Sequence, residues 1–357
     1  MSLFDNILQD SESLFSDEIS LDYEYLPKLL PYRENQQHHI VSCIKPLFEK
    51  RNGKNLLILG QPGIGKTAAV RFVLRDLEQE TDEIFPIYIN CWKKNTSHKI
   101  VLEICDQIGY KFTQNKTTEE LFKKIMEVLN KKTVVFALDE IDKIEDNSIL
   151  YLILEDIYRK TILLITNERK WLSNLDPRIN SRLMIELLEF KPYTLDETKG
   201  ILKQRSDYAF VKDVWEPNAI DLITKKTFEL EDLRVGMFLL KESGNVAESK
   251  ASRKILKEHS DVAISKLSTY KIKDSKSLEK EENLILSIIK ENSGKPSTDI
   301  YNAYKEKTGK SYRTFSRKIK YLEKNKLITI KNITSDLGGQ TSILNYGTIK
   351  KLTDFET

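Results

Sequence analysis

Apolar positions along the chain fall into two kinds of pattern. Between residues 56 and 167, short continuous apolar runs recur: Leu56-Leu57-Ile58-Leu59, Phe85-Pro86-Ile87-Tyr88-Ile89, Val134-Val135-Phe136-Ala137-Leu138 and Thr161-Ile162-Leu163-Leu164-Ile165. Runs of this length without polar alternation predict strands buried on both faces, as in a parallel sheet. Residues 97–108 and 118–130 between them have apolar residues at helical spacing, and Thr118-Glu119-Glu120-Leu121 supplies a cap residue and first-turn acids. Residues 33–50 predict one more helix ahead of the first run, through Ile40, Ile44, Leu47 and Phe48. From Leu195 onward strand signals cease, and residues 195–210, 218–226, 230–241 and 246–267 predict helices. After a charged stretch at 271–280 the pattern changes again. Helices are expected over 281–290, 298–307 and 311–325, then two β-runs at 327–330 and 342–346 joined by Gly338-Gly339. Three helices followed by a hairpin is the order of a winged helix.

Chemistry concentrates where the first run opens into Gly60-Gln61-Pro62-Gly63-Ile64-Gly65-Lys66-Thr67, a G-x-x-x-x-G-K-T sequence between strand and helix. Glycines there let backbone N–H groups close around phosphate oxygens. Gly63, Ile64, Gly65, Lys66, Thr67 and Ala68 are the expected phosphate contacts: Lys66 reaches the β- and γ-phosphates and the Thr67 hydroxyl ligates Mg²⁺. The helix that follows points its N-terminal dipole at the anion. The third run ends in Asp139-Glu140, placing Asp139 with Thr67 on the metal and Glu140 against the attacking water. Asn167 ends the fourth run, where it can hydrogen-bond the water or the γ-phosphate; Asn also favours a plain strand-ending turn. The motifs predict an ATP or GTP site. Strands alternating with helices around it predict a doubly wound α/β domain with ligand at the strand C-termini. The domains expected are an N-terminal extension over 1–30, packed in its later half, a nucleotide-binding core over 31–192, a helical lid over 193–270, a linker over 271–280 and a winged helix over 281–357.

In the third helix of that last segment, Phe315, Ile319 and Leu322 share one face, while Arg313, Arg317, Lys320 and Lys324 share the opposite one. Tyr312 and Ser316 lie at the edge of the basic stripe. A basic recognition helix with a wing points to duplex DNA, with Gly338, Gly339 and Gln340 at the wing.

Composition changes this picture in three places. The chain of 357 residues is 40% apolar and 31% charged, as in a soluble globular protein, and is long enough for two or three domains. Its net charge of +3 divides unevenly, about +6 beyond residue 275 and −3 before it, which is expected where only the tail meets a polyanion. No apolar run approaches a membrane span, and Met1-Ser2-Leu3-Phe4-Asp5 lacks the features of a secretory signal. Cys43, Cys91 and Cys105, odd in number and far apart, read as reduced thiols of a cytosolic protein. They form no metal-ligand spacing with the four histidines, and all seven read as ordinary core or surface residues.

Several further stretches carry a family resemblance. Leu30-Pro31-Tyr32-Arg33-Glu34-Asn35-Gln36, Tyr88-Ile89-Asn90-Cys91 and Leu175-Asp176-Pro177-Arg178-Ile179-Asn180-Ser181-Arg182-Leu183 resemble segments of the archaeal AAA+ initiators related to origin recognition complex subunit 1 and cell division control protein 6. The likeness runs from about Tyr25 to the C-terminus. It implies an AAA+ core, a helical lid and a winged helix, with ATP or ADP and Mg²⁺ as cofactors. It implies that Arg33 lies near the adenine, and that Lys191-Pro192-Tyr193 and Lys203-Gln204-Arg205 bring Tyr193 and Arg205 to the nucleotide. It implies that Arg182, or Arg178, reaches a neighbouring subunit's nucleotide and that Arg234 of the lid senses the γ-phosphate, although the family usually has Gly where Glu231 stands. An insertion helix around Trp171 to Leu175 would touch DNA, through Trp171 and Leu172. The activity implied is slow ATP hydrolysis, used as a switch by a cytoplasmic, nucleoid-associated initiator. Its implied partners are double-stranded origin DNA, the replicative minichromosome maintenance helicase and further initiator subunits. The same motifs also suit a P-loop switch that regulates transcription or transposition through a DNA-binding tail.

Overall fold

The computed structural model describes residues 13–275, 280–324, 328–334 and 340–346. Two compact units divide between Ile264 and Ser265. In the first, helix α1 (Glu34–Ile44) precedes strand β1 (Leu56–Leu59), and the chain continues through α2 (Lys66–Glu80), β2 (Ile84–Asn90), α3 (Ser97–Gln107), α4 (Thr118–Leu129), β3 (Thr133–Asp139), α5 (Ser148–Asp156), β4 (Lys160–Thr166), α6 (Pro177–Leu183) and β5 (Glu186–Glu189). The sheet is parallel throughout, in the order β2-β3-β4-β1-β5. β1 and β3 are buried along their whole length, as continuous apolar runs require. Successive side chains go to opposite faces. Leu57, Phe136, Leu138 and Leu164 enter one core with α3 and α4, and Leu56, Ile58, Val135, Ala137 and Leu163 enter a second with α1 and α2. α4 is capped one residue earlier than expected, by Thr117 in a reciprocal box with Glu120.

A helical layer follows: α7 (Leu195–Ala209), α8 (Pro217–Leu230), α9 (Leu233–Ser249) and α10 (Lys257–Ser275). Residues 246–267, expected as one helix, are parts of two. α9 ends at Ser249, Ala251 turns left-handed at φ 51°, and Ile255 bridges to Trp215 before α10 begins. Apolar spacing alone continues across this break and does not mark it. α10 also runs to Ser275, so the first half of the expected linker is helical. The segment 13–31 lies against this layer: Phe15 pairs and stacks with Phe210, and Glu18 pairs with Lys241. Residues 1–12 of the expected extension lie outside the described residues.

In the second unit, α11 (Lys280–Glu291), β6 (Lys295–Pro296), α12 (Ser297–Thr308), α13 (Tyr312–Lys324), β7 (Ile328–Thr334) and β8 (Gln340–Tyr346) surround a core of Ile285, Ile289, Ile300, Tyr304, Phe315, Leu322 and Leu344. β7 and β8 form an antiparallel hairpin, and the two-residue β6, unforeseen in the sequence, pairs with β8. This is the helix and strand order expected of a winged helix.

One correction and one placement follow from the packing. The expected insertion helix is a single 3-10 turn, Leu172–Asn174. Trp171 is 9% exposed and, with Leu175, draws the segment onto the core, where half-buried Leu172 also packs. The second concerns His39 and Cys43, which lie one turn apart on α1 beside Glu186 at the start of β5. Their grouping was invisible to local spacing because the third member comes from far along the chain.

Candidate nucleotide site and basic helix face

The G-x-x-x-x-G-K-T loop leaves the C-terminal end of β1 and turns into α2. Gly63 and Gly65 take φ of 76° and 88°, a region that glycine enters without strain. A Cβ at Gly63 would fall 2.0 Å from Asp232 Oδ1, and one at Gly65 would fall 2.7 Å from the Tyr193 hydroxyl. The loop is therefore bare by necessity, clasped between core and helical layer. That contact is direct, since the Leu233 N–H donates to the Gly63 carbonyl at 3.1 Å.

Lys66 is buried, and its ammonium donates to the carbonyls of Gly60 (2.8 Å) and Gln61 (2.6 Å) and to Asn167 Oδ1 (2.6 Å). Burial lowers its pKa to about 8, with Asp139 opposing the shift. Thr67 Oγ1 donates to Asp139 Oδ2 at 2.7 Å, and the Tyr88 hydroxyl donates to the same oxygen at 2.8 Å. Burial, then the charge of Asp139, pushes the Tyr88 phenol up, keeping it a donor. Glu140 is left-handed at φ 54°, and its carboxyl is raised by burial and by Asp139 and Asp142 beside it.

Most of these groups line one cleft, open to solvent. Gly63, Gly65, Lys66, Thr67, Ala68, Asp139, Glu140, Asn167, Tyr193, Arg205 and Arg234 all border it. A buried cation turned onto its own loop carbonyls, in a glycine-rich loop at the N-terminus of α2, fits a polyphosphate. The paired oxygens of Thr67 and Asp139 fit a hard divalent cation.

Other expected site residues lie outside the cleft or are held there by other partners. The Ile64 side chain packs in the core. Arg33 is buried behind the loop, donating to the carbonyls of Ile64 (2.9 Å) and Lys191 (2.8 Å) with its guanidinium 3.8 Å from the Tyr193 ring centre. It braces the loop instead of facing the cleft, since two backbone carbonyls and an aromatic face already hold it. Arg205 borders the cleft but donates to the carbonyls of Ser20 (3.1 Å) and Tyr25 (3.3 Å), so it fastens the segment 13–31. Arg234 pairs with Asp232 at 2.7 Å. Arg182 pairs with Glu155, and the Arg178 side chain is 83% exposed beside Asp176; neither borders its own chain's cleft.

Residues 22–27 also border the cleft, and the sequence reading missed them along with Tyr88. Tyr88 had a usable signal. In the register of β2 on β3, Asn90 lies beside Asp139 and Tyr88 two positions earlier, on the same face.

On α13, Phe315, Ile319 and Leu322 are buried, while Arg313, Arg317 and Lys320 are exposed. With half-exposed Tyr312, and with Ser316, they line a shallow concavity. The Tyr312 ring packs edge-on against Tyr301 at 5.0 Å. The side chains of Lys324 and Gln340, and all of Gly338 and Gly339, lie outside the described residues.

Residues 50–168 match the model of an AAA domain family, and residues 199–265 match the Cdc6 AAA+ ATPase-type lid domain. ORC1-type DNA replication protein 1 of Archaeoglobus fulgidus is 31% identical over 330 residues, covering 87% of this chain and 80% of that one. The chain belongs to the ORC1-type DNA replication protein family. ORC1-type DNA replication protein 2 of Methanothermobacter thermautotrophicus is 29% identical across 95% of this chain and 93% of its own. The fold of this ORC1-type chain is shared with the Aeropyrum pernix ORC1 protein solved in complex with DNA (TM-score 0.83, 24% identity, 95% of both chains). It is also shared with the Aeropyrum pernix ORC2 protein solved with ADPNP and ADP (TM-score 0.64, 19% identity, 94% of both chains). The phosphate-loop domain is thus an AAA+ ATPase core with a Cdc6-type lid, built to bind nucleotide. Among the described residues, no helix is long and apolar enough to cross a membrane.

Proposed function

We propose that this protein is an ATP-controlled replication initiator that binds duplex origin DNA and helps to recruit the replicative helicase. The observation that carries this reading is the basic face of α13 in a chain of the ORC1-type family. The Aeropyrum pernix ORC1 protein solved in complex with DNA supports DNA as the ligand.

ATP with Mg²⁺, when bound, supplies the phosphoanhydride to be cleaved and neutralises its charge. Lys66 would turn from its loop carbonyls to the phosphates, and Thr67 and Asp139 would hold the metal. Glu140 takes the proton of the attacking water, which Asn167 orients. Arg234 responds to the γ-phosphate from the lid, and Arg182 or Arg178 reaches the site of a neighbouring copy. Because Leu233 hydrogen-bonds Gly63, the state of the phosphate loop biases the position of the lid, so hydrolysis acts as a slow switch between states. Arg313, Arg317, Lys320 and Lys324 grip the DNA backbone, with Tyr312 and Ser316 beside them and Gly338, Gly339 and Gln340 at the wing. The domain limits proposed remain 31–192 for the core, 193–270 for the lid and 281–357 for the winged helix.

Chromatin immunoprecipitation of the protein from its host tests the reading. Enrichment at replication origins, with helicase subunits recovered there and reduced in a Lys66→Ala strain, is expected. Enrichment at promoters or at mobile-element ends instead would overturn it.

A further inference from the structure

We propose that His39, Cys43 and Glu186 form a binding site for a transition-metal cation of the zinc class, at the end of the sheet remote from the nucleotide cleft. Helical i, i+4 spacing puts His39 and Cys43 on one face of α1. The parallel pairing of β5 with β1 sets Glu186, the first residue of its strand, beside Leu56, the first of β1. The nucleotide cleft lies at the opposite, C-terminal ends of the strands.

One ligand atom from each of the three side chains lies within 4.8 Å of the other two. His39 Nε2 is shielded from solvent and has no hydrogen-bond partner. Its nearest carboxylate oxygen, Glu186 Oε2, is 3.6 Å away, too far for a hydrogen bond. Two ligands bound tetrahedrally to one zinc ion at about 2.0–2.2 Å would sit about 3.4 Å apart, close to the observed separation. Lys54 donates to Glu186 Oε1 at 2.8 Å, which fixes the carboxylate with Oε2 turned inward. Cys43 contributes a fully buried thiol. On binding, the S–H bond breaks, the sulfur bonds the metal and the proton leaves to buffer.

The nitrogen, sulfur and oxygen set suits Zn²⁺ or Co²⁺ and not Mg²⁺ or Ca²⁺, which separates this site from the oxygens of Thr67 and Asp139. The His39 and Glu186 side chains are 39% and 41% exposed, so water can fill a fourth position. A bound ion would staple α1 to the edge strand β5. Both elements lead to the phosphate loop: Arg33 begins α1, and Lys191, whose carbonyl it holds, follows β5.

The test titrates Co²⁺ alone into the purified full-length protein and follows the thiolate-to-cobalt charge-transfer band. Wild type is expected to show the band, saturating at one equivalent and reversed by excess Zn²⁺. His39→Ala and Glu186→Gln, both at half-exposed positions, should each weaken binding at least about tenfold. Cys43→Ser should abolish the band, and Cys105→Ser should keep it. Absence of the band in wild type, or a band unchanged in His39→Ala and Glu186→Gln, would overturn the proposal and leave His39 and Glu186 as an ordinary ion pair.

Discussion

At the scale of single residues, Lys66 couples the site to pH. Its folded pKa, about 8, lies below the 10.5 of an ordinary lysine. Between those values the unfolded chain binds more protons than the folded one, so stability of the nucleotide-free protein rises with pH across that window; below about pH 8 the penalty is fully present. Phosphate charge reverses the shift, so nucleotide binding near pH 9 should take up about one proton. Calorimetry in buffers of different ionisation heat measures this uptake, which Lys66→Met should abolish. Tyr88 offers a second test. Its hydroxyl holds the buried, charged Asp139 from a neighbouring strand. Tyr88→Phe should lower stability by about 2 kcal/mol, read from urea unfolding.

At the scale of elements, the phosphate loop and the lid meet directly. Gly63→Ala would drive a Cβ into Asp232, the N-cap of α9, from a backbone conformation that disfavours it. Nucleotide affinity should fall at least about tenfold, measured with a fluorescent ATP analogue, while the sheet stays folded. Thr194 caps α7 in a box with Glu197, and Thr194→Ala should cost about 1 kcal/mol in urea unfolding. Legibility of the sequence follows the same physics. β1, β3 and β4 stand out because strands covered on both faces must be apolar throughout. β5 escaped because an edge strand of Glu186-Leu187-Leu188-Glu189 has neither a long run nor alternation. The break between α9 and α10 escaped because the apolar spacing continues across it. Within the site, the loop and the two acids were legible because their chemistry is local. The bracing of Arg33, the hold of Arg205 on Ser20 and Tyr25 and the grouping of His39 with Glu186 depend on partners far away in sequence.

At the scale of the whole molecule, charge is concentrated where the proposed function needs it. Arg313, Arg317 and Lys320 of α13 face solvent, opposite an apolar face buried in their own unit. DNA affinity should fall steeply with salt, and Arg317→Ala should weaken binding and reduce the slope of log K against log salt by about 1, read by fluorescence anisotropy at a series of salt concentrations. The central claim is that this chain recognises origins through α13. DNase footprinting with ATP, on host genomic fragments, with wild type beside Arg317→Ala, tests it most directly. Protection of short repeats at an origin, weakened by the substitution, is the predicted result; uniform coating of all fragments, or origin protection indifferent to Arg317, would contradict it.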